Sequence, residues 1–235
     1  MKILALDSSG LTASVAIVED EILTAEYTIN YKKTHSQTLL PMLDEVAKQI
    51  DLELETIDYI AVAAGPGSFT GLRIGSATAK GLGLALKKPL VHIPTVDALA
   101  YNCYGTEKII CPLMDARRNQ VSTGLYEFEG QEFKVVKEQC AVAIEEILAE
   151  VNSLGKDVIF LGDGVPVYEE IVKENTEVNY IFAPAHMNRQ RAGAVAVLAQ
   201  SYVKEGKIET AAEHMPDYLR LSQAERERLE KEKEA

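Results

Sequence analysis

Basic residues are scarce in this chain: 24 Lys and Arg stand against 36 Asp and Glu, a net charge of −12 over 235 residues. The deficit is spread, with 9 basic against 13 acidic residues in 1–110, 10 against 17 in 111–215 and 5 against 6 in 216–235, so no basic domain hides inside the acidic total. Affinity for nucleic acid rests largely on phosphate neutralisation by Lys and Arg. The chain is therefore expected to bind DNA or RNA poorly by itself, and any role near RNA needs a basic partner. Long apolar runs are missing too. Arg73 and Lys80 interrupt the most apolar stretch, leaving no uninterrupted run of the roughly 18 residues that a membrane-spanning helix needs. Met1-Lys2 leads straight into Ile3-Leu4-Ala5-Leu6, too short for a secretory signal and without a small-residue cleavage site. A cytoplasmic protein is expected.

The three cysteines, Cys103, Cys111 and Cys140, have no C-x-x-C spacing, and their odd number argues against a disulfide framework. Four histidines, His35, His92, His186 and His214, include no pair at i, i+3 or i, i+4, the spacing that puts two imidazoles on one helix face for a metal. No Gly-x-Ser-x-Gly occurs either. Neither a metal nor a cofactor is expected, and no residue is marked as catalytic.

What the chain does have is concentrated between Ala63 and Leu86. Gly65-Pro66-Gly67 is a turn signal directly after the apolar run Tyr59–Ala63, so it ends a buried strand. A helix follows that is apolar nearly all round yet carries Gly71, Gly75, Gly81 and Gly83, each costing about 0.5–1 kcal/mol against alanine inside a helix. Gly71, Gly75 and Ala79 recur at every fourth position and form one bare stripe. Two readings are open: the helix packs tightly on its own sheet, or the stripe receives a helix of a partner.

Elsewhere, Ile3–Asp7, Ala13–Val18 and Ile22–Thr28 read as three adjacent antiparallel strands, and Thr34–Ile50 as a helix that Pro41 should kink or restart. Asp58–Ala64 and Leu90–Ile93 are further strands around the glycine-rich helix. A weaker second cycle begins at Ile109–Asp115: a hairpin of Val121–Glu127 and Phe133–Lys137, a helix at Ile144–Val151, a strand at Val158–Leu161 and a helix at Ala192–Val203. The expected architecture is α/β with two lobes, residues 1–105 forming the complete one, 106–215 a smaller one, and 216–235 a charged tail whose Ser222–Ala235 portion is a solvated helix or frayed. Asp7-Ser8-Ser9-Gly10, between two strands, either cradles a phosphate or caps a tight hairpin. Gly162-Asp163-Gly164 has the look of a nucleotide-adjacent turn, and Asp115-Ala116-Arg117-Arg118 offers two arginines after a strand-ending aspartate, for an anion or for solvent.

Taken together, Leu4–Ser9, His35-Ser36-Gln37, Ala64–Gly75, Met114–Arg118, Tyr218-Leu219-Arg220 and Ser222–Glu227 closely resemble the TsaB (YeaZ) family, across essentially the whole chain. The resemblance implies the two-lobed actin-like, Hsp70-like (ASKHA, RNase H-like) fold. It implies a role as the dimerisation subunit of the bacterial complex that makes N6-threonylcarbamoyladenosine at position 37 of tRNAs reading ANN codons, in which the paralogue TsaD is catalytic and TsaE is an ATPase. TsaD follows the same strand and helix with a His-x-x-x-His metal pair, whereas Val91–Asp97 here places Ile93 and Asp97 at the matching positions, and an isoleucine cannot ligate. A pseudo-enzyme is implied, a homodimer when alone and a partner of TsaD, reaching tRNA only through it. The expected interface comprises Ser36, Leu39, Leu40, Leu43, Phe69, Gly71, Leu72, Arg73, Gly75, Ser76, Ala79 and Leu82; Asp7, Ser8, Ser9 and Asp115 remain as a vestigial nucleotide or phosphate site. The alternative is an active nucleotide-dependent kinase or ATPase of the same superfold, working through Asp7 and Asp115.

Overall fold

The computed structural model describes residues 1–219. The Ser222–Glu227 motif and most of the charged tail lie outside the described residues.

Strands β1 (Lys2–Asp7), β2 (Thr12–Glu19) and β3 (Ile22–Asn30) form an antiparallel meander, and β4 (Tyr59–Gly65) and β5 (Leu90–Pro94) add in parallel on the other side of β1. The sheet order is β3-β2-β1-β4-β5. Helix α1 (His35–Gln49) connects β3 to β4, α2 (Phe69–Leu86) connects β4 to β5, and α3 (Thr95–Tyr101) follows β5. Then the order repeats: β6 (Ile109–Asp115), β7 (Gln120–Glu129), β8 (Glu132–Ala143), α4 (Ile144–Leu154), β9 (Val158–Leu161), α5 (Val165–Asn175) and β10 (Tyr180–Phe182) build a second sheet in the order β10-β9-β6-β7-β8. The two halves are the same topological unit, the second with shorter parallel strands and helices.

Period-2 alternation in β1 splits its side chains between two cores. Leu4 and Leu6 face α1 and α2, packing with Val15, Ile17, Leu39, Leu43 and Val62, whereas Ile3 and Ala5 face the opposite side with Ala16, Val18 and Ala61. That second side is covered by α6 (Ala192–Lys204), through Ala192, Val195, Ala196 and Ala199. The division expected at residue 105 therefore divides chain order and not packing. Helix α6 belongs to the first lobe, and Glu209 extends that lobe's sheet by a bridge to Leu90. A sheet with two apolar faces needs a cover on each, and this chain draws the second cover from its far end. Between the lobes, α3 is buried on nearly every side and packs Val96, Leu99 and Ala100 on Ile110, Tyr126 and Leu161 of the second sheet.

Helix α1 continues through Pro41 without a restart there. Pro41 is exposed, so solvent can serve the carbonyl one turn back that loses its N–H partner.

Candidate functional site

The β1–β2 turn lies on the first turns of α2, and the glycines of the Ala63–Leu86 stretch are what allow it. Ser68 caps α2, its hydroxyl accepting from the Gly71 N–H at 3.3 Å, while its own N–H donates to the Ser9 carbonyl at 2.6 Å. The Ser8 hydroxyl donates to the Gly71 carbonyl at 2.9 Å. A Cβ on Gly71 would overlap the Ser8 carbonyl oxygen, one on Gly67 would overlap that of Ser9, and one on Gly75 would sit 2.6 Å from the Ser8 hydroxyl. The stripe of Gly71, Gly75 and Ala79 therefore faces inward, and the backbone that approaches it is the chain's own. Leu39, Leu43, Leu72 and Ser76 are buried with it, and Leu82 packs on the same core.

Phe69 and Arg73 also work within the chain. The Arg73 guanidinium stacks 3.9 Å from the Phe69 ring and donates to the Tyr218 hydroxyl at 3.2 Å, and the Phe69 and Tyr218 rings lie 4.9 Å apart. Of the expected interface residues, Ser36, Leu40 and Arg73 are exposed. The outward stripe of α2 is instead Arg73, Ala77, Gly81 and Leu84, and around Gly81 there is open space.

A cleft of about 830 Å³ runs between the lobes. Ser9, Gly10, Lys32, Gly67, Ser68 and Thr70 line it from the first lobe, Asp115, Arg117, Ser122 and Asp163 from the second, and Asp217 to Leu219 from the returning terminus. Ser9 and Asp115, two of the four vestigial-site residues, thus reach the cleft; Asp7 and Ser8 are buried beneath it. The Asp7 carboxylate accepts from the Ser9 N–H at 2.9 Å and the Ser9 hydroxyl at 2.7 Å through Oδ1, leaving Oδ2 buried without a partner among the described residues. Burial pushes its pKa up to about 6, against the pull of the two Ser9 hydrogen bonds and of His35. A carboxyl raised above its unfolded value of about 3.9 is held better protonated by the fold. Its burden is absent below that unfolded value, develops as pH rises through about 6, and reaches about 3 kcal/mol above it. Asp7→Asn is accordingly expected to stabilise the chain by up to about 3 kcal/mol at pH 8 and by little at pH 4. Urea unfolding at both pH values measures this, and a variant less stable at pH 8 than the parent would contradict it.

On the second lobe, Asp115 Oδ1 accepts from the Arg117 N–H at 2.8 Å and the Tyr168 hydroxyl at 2.9 Å, and Asp163 Oδ1 accepts from the Asp115 N–H at 3.2 Å. Burial raises the Asp163 pKa, opposed by its hydrogen bond from Asp115 and by the Arg189 charge. Arg117, Arg118 and Asn119 all have left-handed backbones, with φ of 62, 56 and 56°. Three such residues in succession cost about 1–2 kcal/mol each, so the β6–β7 corner is held in a demanding shape at the mouth of the cleft.

Two constellations were not legible from spacing. Asp97, buried at the lobe junction, accepts from Tyr126 at 2.7 Å and Tyr202 at 3.3 Å, and burial pushes it up to about 6. His92 and His214, 122 positions apart in sequence, stand with ring centroids 5.6 Å apart beside Glu209. Local spacing gives no sign of this convergence. The His35 Nε2–H donates to the Gly10 carbonyl at 2.8 Å.

The chain matches the family model of TsaD, tRNA N6-adenosine threonylcarbamoyltransferase, over residues 23–228. It is 31% identical over 233 residues to a tRNA threonylcarbamoyladenosine biosynthesis protein TsaB of Bacillus subtilis, covering 99% of this chain and all of that one. The chain belongs to the TsaB family. The solved YeaZ structure from Pseudomonas aeruginosa superposes with a TM-score of 0.80 at 25% identity, covering 92% of this chain and 99% of that one. A ROK hexokinase from Thermus thermophilus gives a TM-score of 0.50 at 12% identity over 87% of this chain and the whole of the other, a likeness of fold alone. The TsaB-family chain thus has the two-lobed actin-like fold that its residues resembled. Among the described residues no helix is long and apolar enough to cross a membrane.

Proposed function

We propose that this TsaB-family chain is a non-catalytic subunit of the complex that forms N6-threonylcarbamoyladenosine at position 37 of tRNAs reading ANN codons, and that it activates TsaD by docking to it. The pathway is supported by the full-length relative that is a biosynthesis protein for this nucleoside. The non-catalytic role rests on Asp7. The strand-ending carboxylate best placed for nucleotide or metal chemistry is closed off by Ser9 under the cleft floor and does not line the cleft. With a net charge of −12, the chain reaches tRNA through TsaD, and TsaE joins the assembly through the same complex.

The docking surface is the outer face of α1 and α2. Leu40 is 52% and Leu84 66% exposed, and Ala77 and Gly81 lie on that outward stripe of α2 with no large side chain to hold a partner helix away. The same face serves self-association when TsaD is absent. Size-exclusion chromatography with light scattering tests both: a dimer is expected for the chain alone, and a heteromer with TsaD. Two separate peaks at monomer mass after mixing would overturn the reading.

A second reading has an observation of its own. Lys32, Arg117 and the capped N-terminus of α2 all border the cleft, an arrangement suited to a phosphate, with Asp115 and Asp163 beside it. A nucleotide-dependent kinase or ATPase would turn over ATP as the isolated chain; the scaffold reading expects at most feeble hydrolysis, unchanged by Asp7→Asn.

A further inference from the structure

Residues 208–219 return along the outer edge of the first lobe as a strap. The Leu90 and Glu209 backbones exchange hydrogen bonds of 2.8 and 3.0 Å, the Lys80 ammonium donates to the His214 and Ala212 carbonyls at 2.9 and 3.4 Å, and the Asp217 N–H donates to the Ala64 carbonyl at 2.7 Å. Under this strap three side chains converge. The His214 Nδ1 and Glu209 Oε1 are 2.5 Å apart, the His92 Nδ1 and the same oxygen 3.8 Å, and one donor atom from each residue lies within 4.8 Å of the others.

We propose that His92, Glu209 and His214 form a binding site for a divalent transition-metal ion of the zinc type, which pins the strap to β5. The donor set is two imidazoles and one carboxylate, the mixed nitrogen and oxygen set that suits zinc rather than magnesium or calcium.

Orientation of the rings supports it. The His92 Nε2 lies 2.9 Å from Asp217 Oδ2, so Nε2 carries the proton and the Nδ1 lone pair points to the cluster. A carboxylate behind a ligating imidazole is what fixes the tautomer at metal centres. Without an ion, that lone pair faces the Glu209 oxygen at 3.8 Å, two electron-rich atoms too far apart to share a proton and close enough to repel. A cation between them resolves the conflict. The His214 side chain is fully buried and its Nε2 has no partner among the described residues, so Nδ1, turned to Glu209, is the ring atom that meets the cluster. Ligation at Nδ1 moves the single ring proton of a neutral His214 to Nε2, the Nδ1 and Glu209 oxygen open to the separation of neighbouring ligands, and a water would complete the fourth position.

The strap delivers Asp217, Tyr218 and Leu219 to the cleft, and Tyr218 to Phe69 and Arg73. Metal occupancy is thereby expected to order one wall of the cleft, whether or not the chain serves TsaD. The test uses untagged full-length protein stripped with a chelator, then titrated with Co²⁺ and competed with Zn²⁺. The visible absorption of four-coordinate cobalt is expected at one equivalent, displaced by one equivalent of zinc. His92→Ala and Glu209→Gln, both at partly exposed positions, are expected to weaken zinc binding at least about 100-fold, and Asp217→Asn about 10- to 100-fold. Zinc is also expected to protect Lys204 and Lys207 from trypsin in the parent and not in His92→Ala. His214→Ala, which risks misfolding, is not needed. Absence of the four-coordinate spectrum, or zinc affinity equal in parent, His92→Ala and Glu209→Gln, would overturn the proposal.

Discussion

Gly71→Leu is expected to unfold the first lobe, with a loss above about 4 kcal/mol, and not to yield a folded chain that has merely lost a partner. The Cβ alone would overlap the Ser8 carbonyl, a backbone atom fixed by the turn that also gives its neighbour's carbonyl to Ser68. Neither side can yield. Overpacking a core costs about 1–3 kcal/mol where side chains can move aside, and more where they cannot. Against a total stability of about 5–15 kcal/mol, most of the folded population is at stake. Urea unfolding followed by circular dichroism measures it. A folded Gly71→Leu with an unchanged midpoint would mean that the glycine stripe faces outward after all.

Leu40→Asp combined with Leu84→Asp is expected to do the reverse. Both side chains are more than half exposed, and surface changes of this kind move stability by about 0.5 kcal/mol or less. In a helical interface each would be buried as an unpaired charge. Loss of two central apolar anchors at about 2 kcal/mol or more each corresponds to a loss of affinity for TsaD above about 100-fold. Calorimetric titration of TsaD with parent and variant reads that ratio. Equal affinities would remove the outer α1–α2 face from the assembly.

The contrast shows what the sequence could and could not tell. Apolar runs and turn signals located nine of the ten strands, because each strand's pattern is a local property, but not β10, whose three residues are too few to show one. The glycine stripe was equally visible, and its requirement for a close backbone was read correctly. Its occupant stays open between the chain's own lobe and a partner helix, because the β1–β2 turn lies some 60 residues earlier in the chain and nothing local says that Ser8 and Gly71 meet. Helix α6 was located as a helix but assigned to the wrong lobe, since its apolar face fits either sheet and only the uncovered side of the first selects one. Helix α5 has a start signal in Pro166, two positions after Gly164, but only Tyr168 and Val172 are buried along it, too few to show a helical period. Helix α3 is buried nearly all round over seven residues, too short and too uniformly apolar to show a helical period. The His92–Glu209–His214 cluster depends on a strap that pairs with an edge strand more than 100 positions away, a juxtaposition that local spacing cannot carry.

The central claim is that this chain supports modification of tRNA without performing the chemistry. The direct measurement is reconstitution of N6-threonylcarbamoyladenosine formation from TsaD, TsaE, threonylcarbamoyl-adenylate, ATP and unmodified tRNA, with the chain omitted, with the parent, and with an Asp7→Asn and Asp115→Asn double variant. The account expects no modification without the chain and the parental rate with the carboxylate variant. Full modification in its absence, or a carboxylate variant that assembles with TsaD and yet is inactive, would contradict it.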